Sequence, residues 1–373
     1  RDKNKGGIAK IVNRLLVEGA GNLRAIKFKD RLAATGARLY VDSVREMAFI
    51  SLRTLSDQIY FEEAVRLLAM AAAEPRFDSQ EIKRAIEESR LQLKLKEQSL
   101  SSLADESFWQ AIYSDHPYGQ PPLGTRKSLS TIRKKDLSKF HQTYYVNRNM
   151  VIAIVGALGE SDARTLSESI SKRFPVGVAP SAIPEVALMD ATEVIIRKDS
   201  KQSHIRLGQV GMKRGDPDYF PLLVGNHVLG GNSLVSVIFK EIRSKRGLSY
   251  SCYSYFVPME RAGPFIVGMQ TDHSKKDAAL NILRKTLKNF LQVGPSSGDV
   301  RLAKDNLIKG FPNRIDSNQK MLDYIGMIGF YGLPLDYLTT FPKRVAEVAM
   351  EDIRSAFRRR LDKQLTTVIV GKN

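Results

Sequence analysis

The sequence predicts an α+β protein built from two halves of like design. An internal repeat is the first reason. Val12-Asn13-Arg14-Leu15-Leu16, followed by a glycine turn, a helix and strands, is echoed by Val224-Gly225-Asn226-His227-Val228-Leu229-Gly230-Gly231. The series from Lys135-Asp136-Leu137 to Ile154-Val155-Gly156 returns as Glu351-Asp352-Ile353 to Ile369-Val370-Gly371. The second reason is the stretch Phe174-Pro175-Val176-Gly177-Val178-Ala179-Pro180-Ser181-Ala182-Ile183-Pro184, whose prolines and small residues mark a connector. It sets halves at 1–178 and 191–373, joined by a linker at 179–190.

The elements follow in order. The opening run from Gly7 to Leu16 has helical spacing of apolar residues, and Glu18-Gly19-Ala20-Gly21 closes it with a small-residue turn. Residues 48–55 read as a strand and 61–73 as an amphipathic helix. The charged run around Lys83 to Arg90 reads as a surface helix, with Glu81 and Ala85 facing in and Lys83 and Glu87 facing out. Pro and Gly punctuate residues 115–125 as an irregular connector. It leads into a helix over 136–145 and an apolar run, 151–156, that reads as a buried strand. In the second half, 265–270 reads as a strand, 276–290 as a helix, and Gly230-Gly231 as a turn.

Composition narrows the function. The 373 residues are 43% hydrophobic, enough for sizeable cores. The single cysteine, Cys252, excludes an internal disulfide framework and Cys-rich metal sites, and reads as a small buried hydrophobe. The five histidines are His116, His141, His204, His227 and His273, and no two lie four apart. A zinc site assembled from His204, His227 or His273 is an alternative, but isolated histidines are more often packed or surface groups. No Ser-His-Asp or Cys-His signature, P-loop or dinucleotide glycine motif is present, and no transmembrane run is visible.

The formal net charge is +18. A nucleic-acid surface is one reading of it. Against it, the basic groups (Arg24, Lys27, Lys29 and Arg31; Arg133, Lys134 and Lys135; Arg358, Arg359 and Arg360) form no single stripe, and no nucleic-acid-binding motif accompanies them. An acidic partner fits the charge as well.

Four segments, in order, resemble the M16 (pitrilysin-like, processing-peptidase-like) zinc peptidases. The opening helix of that family reads G-x-x-H-x-x-E-H. Its two histidines, one helical turn apart, reach one Zn²⁺, and the glutamate polarises water. Here Lys10, Asn13 and Arg14 stand at those positions in Gly7-Ile8-Ala9-Lys10-Ile11-Val12-Asn13-Arg14. A third ligand follows on a later helix, and in Lys83-Arg84-Ala85-Ile86-Glu87-Glu88-Ser89-Arg90 the aligned position is Arg90. Glu87 and Glu88 lie beside it, so a slipped register stays open. Asp115-His116-Pro117-Tyr118-Gly119 through Thr125 resembles the H-P-Y-G loop, where His116 reads as structural. Arg243 and Tyr250, within Arg243-Ser244-Lys245-Arg246-Gly247-Leu248-Ser249-Tyr250, match the family's R-x-x-x-x-G-L-x-Y element. Arg246 competes by charge alone, and the Gly-Leu-Ser-Tyr register favours Arg243.

The resemblance implies a fold of two homologous domains. Each is a largely antiparallel sheet with helices packed on one face, and the two form a clamshell half. It implies a pseudo-peptidase of the bacterial M16B type, with no cofactor in this chain. A zinc-bearing partner supplies the metal in a heterodimer, or the chain pairs with itself in isolation. Arg243 and Tyr250 hold the backbone and developing oxyanion of an unfolded peptide substrate. An edge strand near Arg38-Leu39-Tyr40-Val41 adds the substrate by strand pairing. Family members carry strands before the first helix. Here that helix follows directly on Arg1, so the sequence reads as truncated at its N-terminus, and the expected location is the bacterial periplasm. The rivals are a structural scaffold like the processing-peptidase-like core subunits of respiratory complexes, and a basic polyanion-binding protein. No nucleic-acid or membrane partner is expected.

Overall fold

The computed structural model describes residues 2, 4–232, 234–361 and 364–372. The chain divides into two compact units. One comprises Arg1–Leu95 and Gln120–Ala182, the other Lys96–Gly119 and Ile183–Asn373.

The first unit opens with α1 (Ile8–Leu15), followed by the short pair β1 (Gly19–Ala20) and β2 (Leu23–Arg24) and by α2 (Ala25–Ala34). A hairpin of β3 (Arg38–Ser43) and β4 (Ala48–Arg53) precedes α3 (Gln58–Ala73) and α4 (Ser79–Gln98). After α5 (Leu100–Tyr113), which belongs to the second unit, the chain returns with α6 (Arg126–Thr131), α7 (Lys134–Tyr144) and α8 (Glu160–Ser171). Ile8, Ile11, Val12 and Leu15 fall on one face of α1 and pack with Ile82, Ala85 and Leu93 of α4 and with Leu129 and Leu137. Gly7 caps this helix at φ 90°, and a Cβ there would meet the Leu123 carbonyl oxygen at 2.5 Å, so glycine is required.

The expected buried strand over 151–156 is not formed. Among the described residues no strand lies beside it to complete a ladder, because β3 and β4 pair only with each other. Its apolar residues serve packing instead, Ile152 lying against the α3–α8 cluster of Ala69, Ala72 and Ile170. The expectation of a main sheet in each half therefore holds for one unit.

That unit has a mixed five-stranded sheet, ordered β5-β9-β6-β8-β7. Its elements are β5 (Glu193–Arg197), β6 (Gln202–Val210), α9 (Tyr219–Asn226), α10 (Val237–Phe239), β7 (Ser249–Phe256), β8 (Pro264–Asp272), α11 (Lys276–Val293), α12 (Ser297–Lys309), α13 (Asn318–Tyr331), α14 (Tyr337–Glu347), α15 (Met350–Arg360) and β9 (Thr366–Gly371). Only β5–β9 is parallel. Gly230 and Gly231, expected in a turn, end a π-helical extension of α9 (His227–Gly231).

Helices cover both faces of this sheet, not one. Ile205, Leu207, Val267, Met269 and Ile369 pack with α9, α11 and α15. The alternate residues Ile266, Val368 and Val370 pack with Ala104, Phe108 and Ile112 of α5. That double cover explains why β9 is apolar at successive positions. α5 is anchored by charge as well. Arg206, 2% exposed at the sheet centre, sends Nε to Asp105 Oδ1 at 2.6 Å and Nη2 to Asp105 Oδ2 at 3.2 Å and to Ser101 Oγ at 2.7 Å. The H-P-Y-G loop extends this anchor. Tyr118 Oη accepts from Arg261 N–H at 3.0 Å, and Tyr113 Oη donates to the Ala262 carbonyl at 2.9 Å.

Replacing Asp105 by Ala strands the buried Arg206 guanidinium without its carboxylate. Breaking a buried pair from one side costs about 3–5 kcal/mol, and the partial exposure of Asp105 lowers this to about 2 kcal/mol. Urea unfolding followed by circular dichroism should show that loss, with Asp105→Asn intermediate.

Candidate functional site

The face of α1 opposite its core stripe carries Lys10 and Arg14, one turn apart. Lys10 Nζ lies 3.1 Å from Asp42 Oδ1 on β3. Arg14 uses both arms of its fork. Nη1 pairs with Glu18, and Nη2 lies 3.3 Å from Glu88 Oε2 on α4. Lys29 of α2 binds the other Glu18 oxygen at 2.5 Å. Glu18 is 4% exposed, so burial alone would push its carboxyl up. The hydrogen bonds and charges of Lys29 and Arg14 outweigh that and hold it below the usual glutamate range. The same exchange raises Arg14 above its ordinary value, its pairing with Glu18 and Glu88 overcoming desolvation.

Asn13, between the two cations in sequence, is 2% exposed. Its amide nitrogen donates to the Phe49 carbonyl at 3.3 Å and lies 3.5 Å from Tyr145 Oη. Burial pushes the Tyr145 hydroxyl up to about 12. Asn13 thus closes the contact of α1 with β4 and offers no proton-accepting group there.

Arg90, the position aligned with a third ligand, does not meet α1. It forms an exposed pair with Glu87 at 2.7 Å, one turn back on α4. The α4 residue that reaches α1 is Glu88, two positions earlier. The residue types do not fit a zinc ion. Lys10 and Arg14 are donors only, and Asn13 donates through its amide. Among the described residues, no group of three or more His, Cys, Asp or Glu side chains converges to hold a metal.

In the second unit, Arg243 lies on a π-helical stretch, Lys240–Ser244, and Tyr250 on the sheet's edge strand β7. The β7–β8 register passes from Ser249↔Thr271 to Ser251↔Gln270, leaving Tyr250 as the extra residue of a bulge. A bulge re-aims the side chain it carries and leaves its own backbone outside the ladder. Tyr250 is 82% exposed, and its carbonyl accepts from Arg243 Nη1 at 2.6 Å. The Arg243 guanidinium also sits 5.2 Å from the Phe239 ring centre. Ser249 Oγ braces the bulge, accepting from Ser251 N–H at 3.2 Å and donating to the Gln270 carbonyl at 2.5 Å. Arg246, the competitor, is spent on the Glu241 carboxylate at 2.7 Å. Among the described residues no carboxylate pairs with Arg243.

The isolated histidines are held singly. His116 Nδ1 accepts from Tyr118 N–H at 3.1 Å and Nε2 lies 3.0 Å from the Pro184 carbonyl. His141 is buried against Tyr145, with Nε2 2.7 Å from the Ala72 carbonyl, and burial depresses its protonation. His227 and His273 lie 3.4 Å from Asn232 Nδ2 and Ser203 Oγ respectively. Burial raises the Cys252 thiol to about 11, so it stays protonated and unreactive.

Comparison with known proteins agrees with these elements. A family profile described as "Peptidase M16 inactive domain" matches residues 131–307, and one described as "Insulinase (Peptidase family M16)" matches 1–126. A solved structure from Pseudomonas fluorescens, described as a peptidase M16 inactive domain, superposes with TM-score 0.96 at 30% identity. The match covers 100% of this chain and 90% of that one. A Helicobacter pylori protein named "Non-peptidase homolog YmxG" is 26% identical over 94% of this chain and 81% of its own length. A Bacillus subtilis protein named "Uncharacterized zinc protease YmxG" is 23% identical over 84% of this chain and 76% of its own length.

The Glu18 cluster sets an acid limit. A carboxyl whose folded pKa is depressed contributes fully above its unfolded value, near 4.5, and loses that contribution as pH falls through the folded one. Glu18→Gln should lower stability at pH 7 by about 1–2 kcal/mol, the exposure of Arg14 and Lys29 keeping it below a fully buried pair. The difference from the unmodified chain should shrink below pH 4.5. Thermal unfolding across pH 3–7 measures both effects.

Proposed function

Because this chain belongs to the M16 peptidase family, we propose that it is a non-catalytic subunit that completes the active chamber of a zinc-bearing M16 partner cleaving unfolded peptides. The observation that carries this reading is an asymmetry within the chain. The α1 face holds an ion-paired Lys10 and Arg14 around a buried Asn13, whereas the Arg243–Tyr250 element keeps a built geometry with its hydroxyl outward. The name of the Helicobacter pylori relative, a non-peptidase homolog, supports the first half of that asymmetry.

In this reading Arg14 puts a permanent cation between Glu18 and Glu88, so the site needs no metal for charge balance. Arg243 and Tyr250 act on substrate bound by the partner. Tyr250 donates its hydroxyl to the carbonyl oxygen that gains negative charge during attack, and Arg243 fixes the bulge that aims it. β3 pairs only with β4 among the described strands, and its other edge takes an extended peptide by main-chain hydrogen bonds. The complex works in the bacterial periplasm, and the chain pairs with a second copy when its partner is absent. One observation favours a scaffold instead: Arg243 already has an internal use in holding the Tyr250 carbonyl.

Kinetics separate the two. With the zinc-bearing partner, Tyr250→Phe should lower kcat by about 10²–10³, the cost of one transition-state donor, while heterodimer assembly is unchanged. Arg243→Lys keeps the charge but loses the fork, and should lower kcat in the same direction. Normal turnover by both assembled variants identifies a scaffold. Elemental analysis of the chelator-washed chain should find well under one zinc per chain, and stoichiometric zinc would overturn the reading of α1.

A further inference from the structure

The net charge of +18 has no role in the reading above, and the first unit gathers part of it at one place. A groove of about 260 Å³ runs between α4 and the corner where α6 meets α7. Its floor is apolar: Ile82 and Leu129 are buried and Ile86 is partly so. Its rim is cationic, with Lys83 and Arg90 two turns apart on α4 and Arg133 across from them.

We propose that this groove docks an acidic peptide segment of a partner protein, one aliphatic side chain on the floor and its carboxylates on the rim. The rim cations are available. Lys83 forms no ion pair among the described residues. Arg90 pairs with Glu87 at 2.7 Å, but both are solvent-exposed, and such a pair is weak enough to exchange for an incoming carboxylate. Arg133 donates to the Ser130 and Ile132 carbonyls at 2.7 and 3.0 Å, which leaves its charge uncompensated. Lys134 and Lys135 follow it, both exposed. Glu87 is the one carboxylate of the rim, so the groove is net positive.

Size and lining select the occupant. The volume lies below the roughly 300–1,000 Å³ of small-molecule sites and suits one branched side chain. A nucleic acid would gain from aromatic stacking platforms, and no aromatic ring lines the groove. An aliphatic floor beneath guanidinium and ammonium groups matches a peptide that alternates leucine with glutamate and aspartate. Arg90, set aside as a metal-ligand position, acquires a use here that is independent of the Arg243–Tyr250 element.

The test uses the full chain and a short fluorescein-labelled peptide of Glu and Asp with two Leu residues, followed by fluorescence anisotropy. Binding should saturate and weaken as salt rises. The triple variant Lys83→Glu, Arg90→Glu, Arg133→Glu should weaken it by about tenfold or more, whereas an equal charge reversal elsewhere on the unit (Arg24→Glu, Lys27→Glu, Lys172→Glu) should change it by less than about twofold. Replacing both peptide leucines by serine should also weaken binding, by about fivefold, and circular dichroism checks that each variant is folded. The proposal is overturned if binding does not saturate or if both triple variants lose affinity equally. It is also overturned if the leucine-free peptide, single-stranded DNA or anionic vesicles bind as tightly as the leucine peptide.

Discussion

A guanidinium cannot shed its proton at any pH a cell meets, and it offers no lone pair. Placed as Arg14, it governs the first unit. Its fork joins the turn after α1, through Glu18, to α4, through Glu88, while Lys29 brings α2 to the same carboxylate. Two cations face two carboxylates, and the cluster is neutral as a whole. Buried charge is tolerated only when paired, and the pairing here is internal and permanent. The turn after α1, α2 and α4 are thus held to one another by side-chain charge.

The second unit solves a backbone problem by the same means. A bulge turns one side chain outward but orphans a carbonyl, and a buried or bridging donor must then be found for it. Arg243 supplies that donor to Tyr250. One arginine ties helices together and another stands in for a ladder bond. In both cases a delocalised planar donor does what the local structure would otherwise leave undone.

Much of this was legible in the sequence, and the gaps have physical causes. The helices over 61–73 and 276–290 and the strand over 265–270 announced themselves by periodicity, and α3, α11 and β8 contain them. The run 151–156 has the same apolar signal as a strand, but a strand exists only with a neighbour, and neighbours are not written locally. Helical cover on both sheet faces was hidden for a similar reason: α5 lies far upstream of the strands it covers. At the site, the spacing that joins Arg14 to Glu18 is one helical turn and readable. The choice of Glu88 over Arg90 depends on how α4 is rotated against α1, which packing decides. The outward turn of Tyr250 rests on a single unmatched residue in a register that only the partner strand β8 reveals.

The position of β9 within its sheet bears on synthesis. This strand is made after every other strand of the sheet, yet it lies between β5 and β6, and β5 has no other partner. Until β9 emerges from the ribosome, β5 and one edge of β6 expose unsatisfied backbone, and the part of α5 that packs on Val368 and Val370 stays uncovered. At about 5–20 residues per second, the roughly 160 residues between β6 and β9 take on the order of ten seconds to make. Closure of this sheet is therefore a late step of synthesis, and for that interval the nascent chain carries open strand edges.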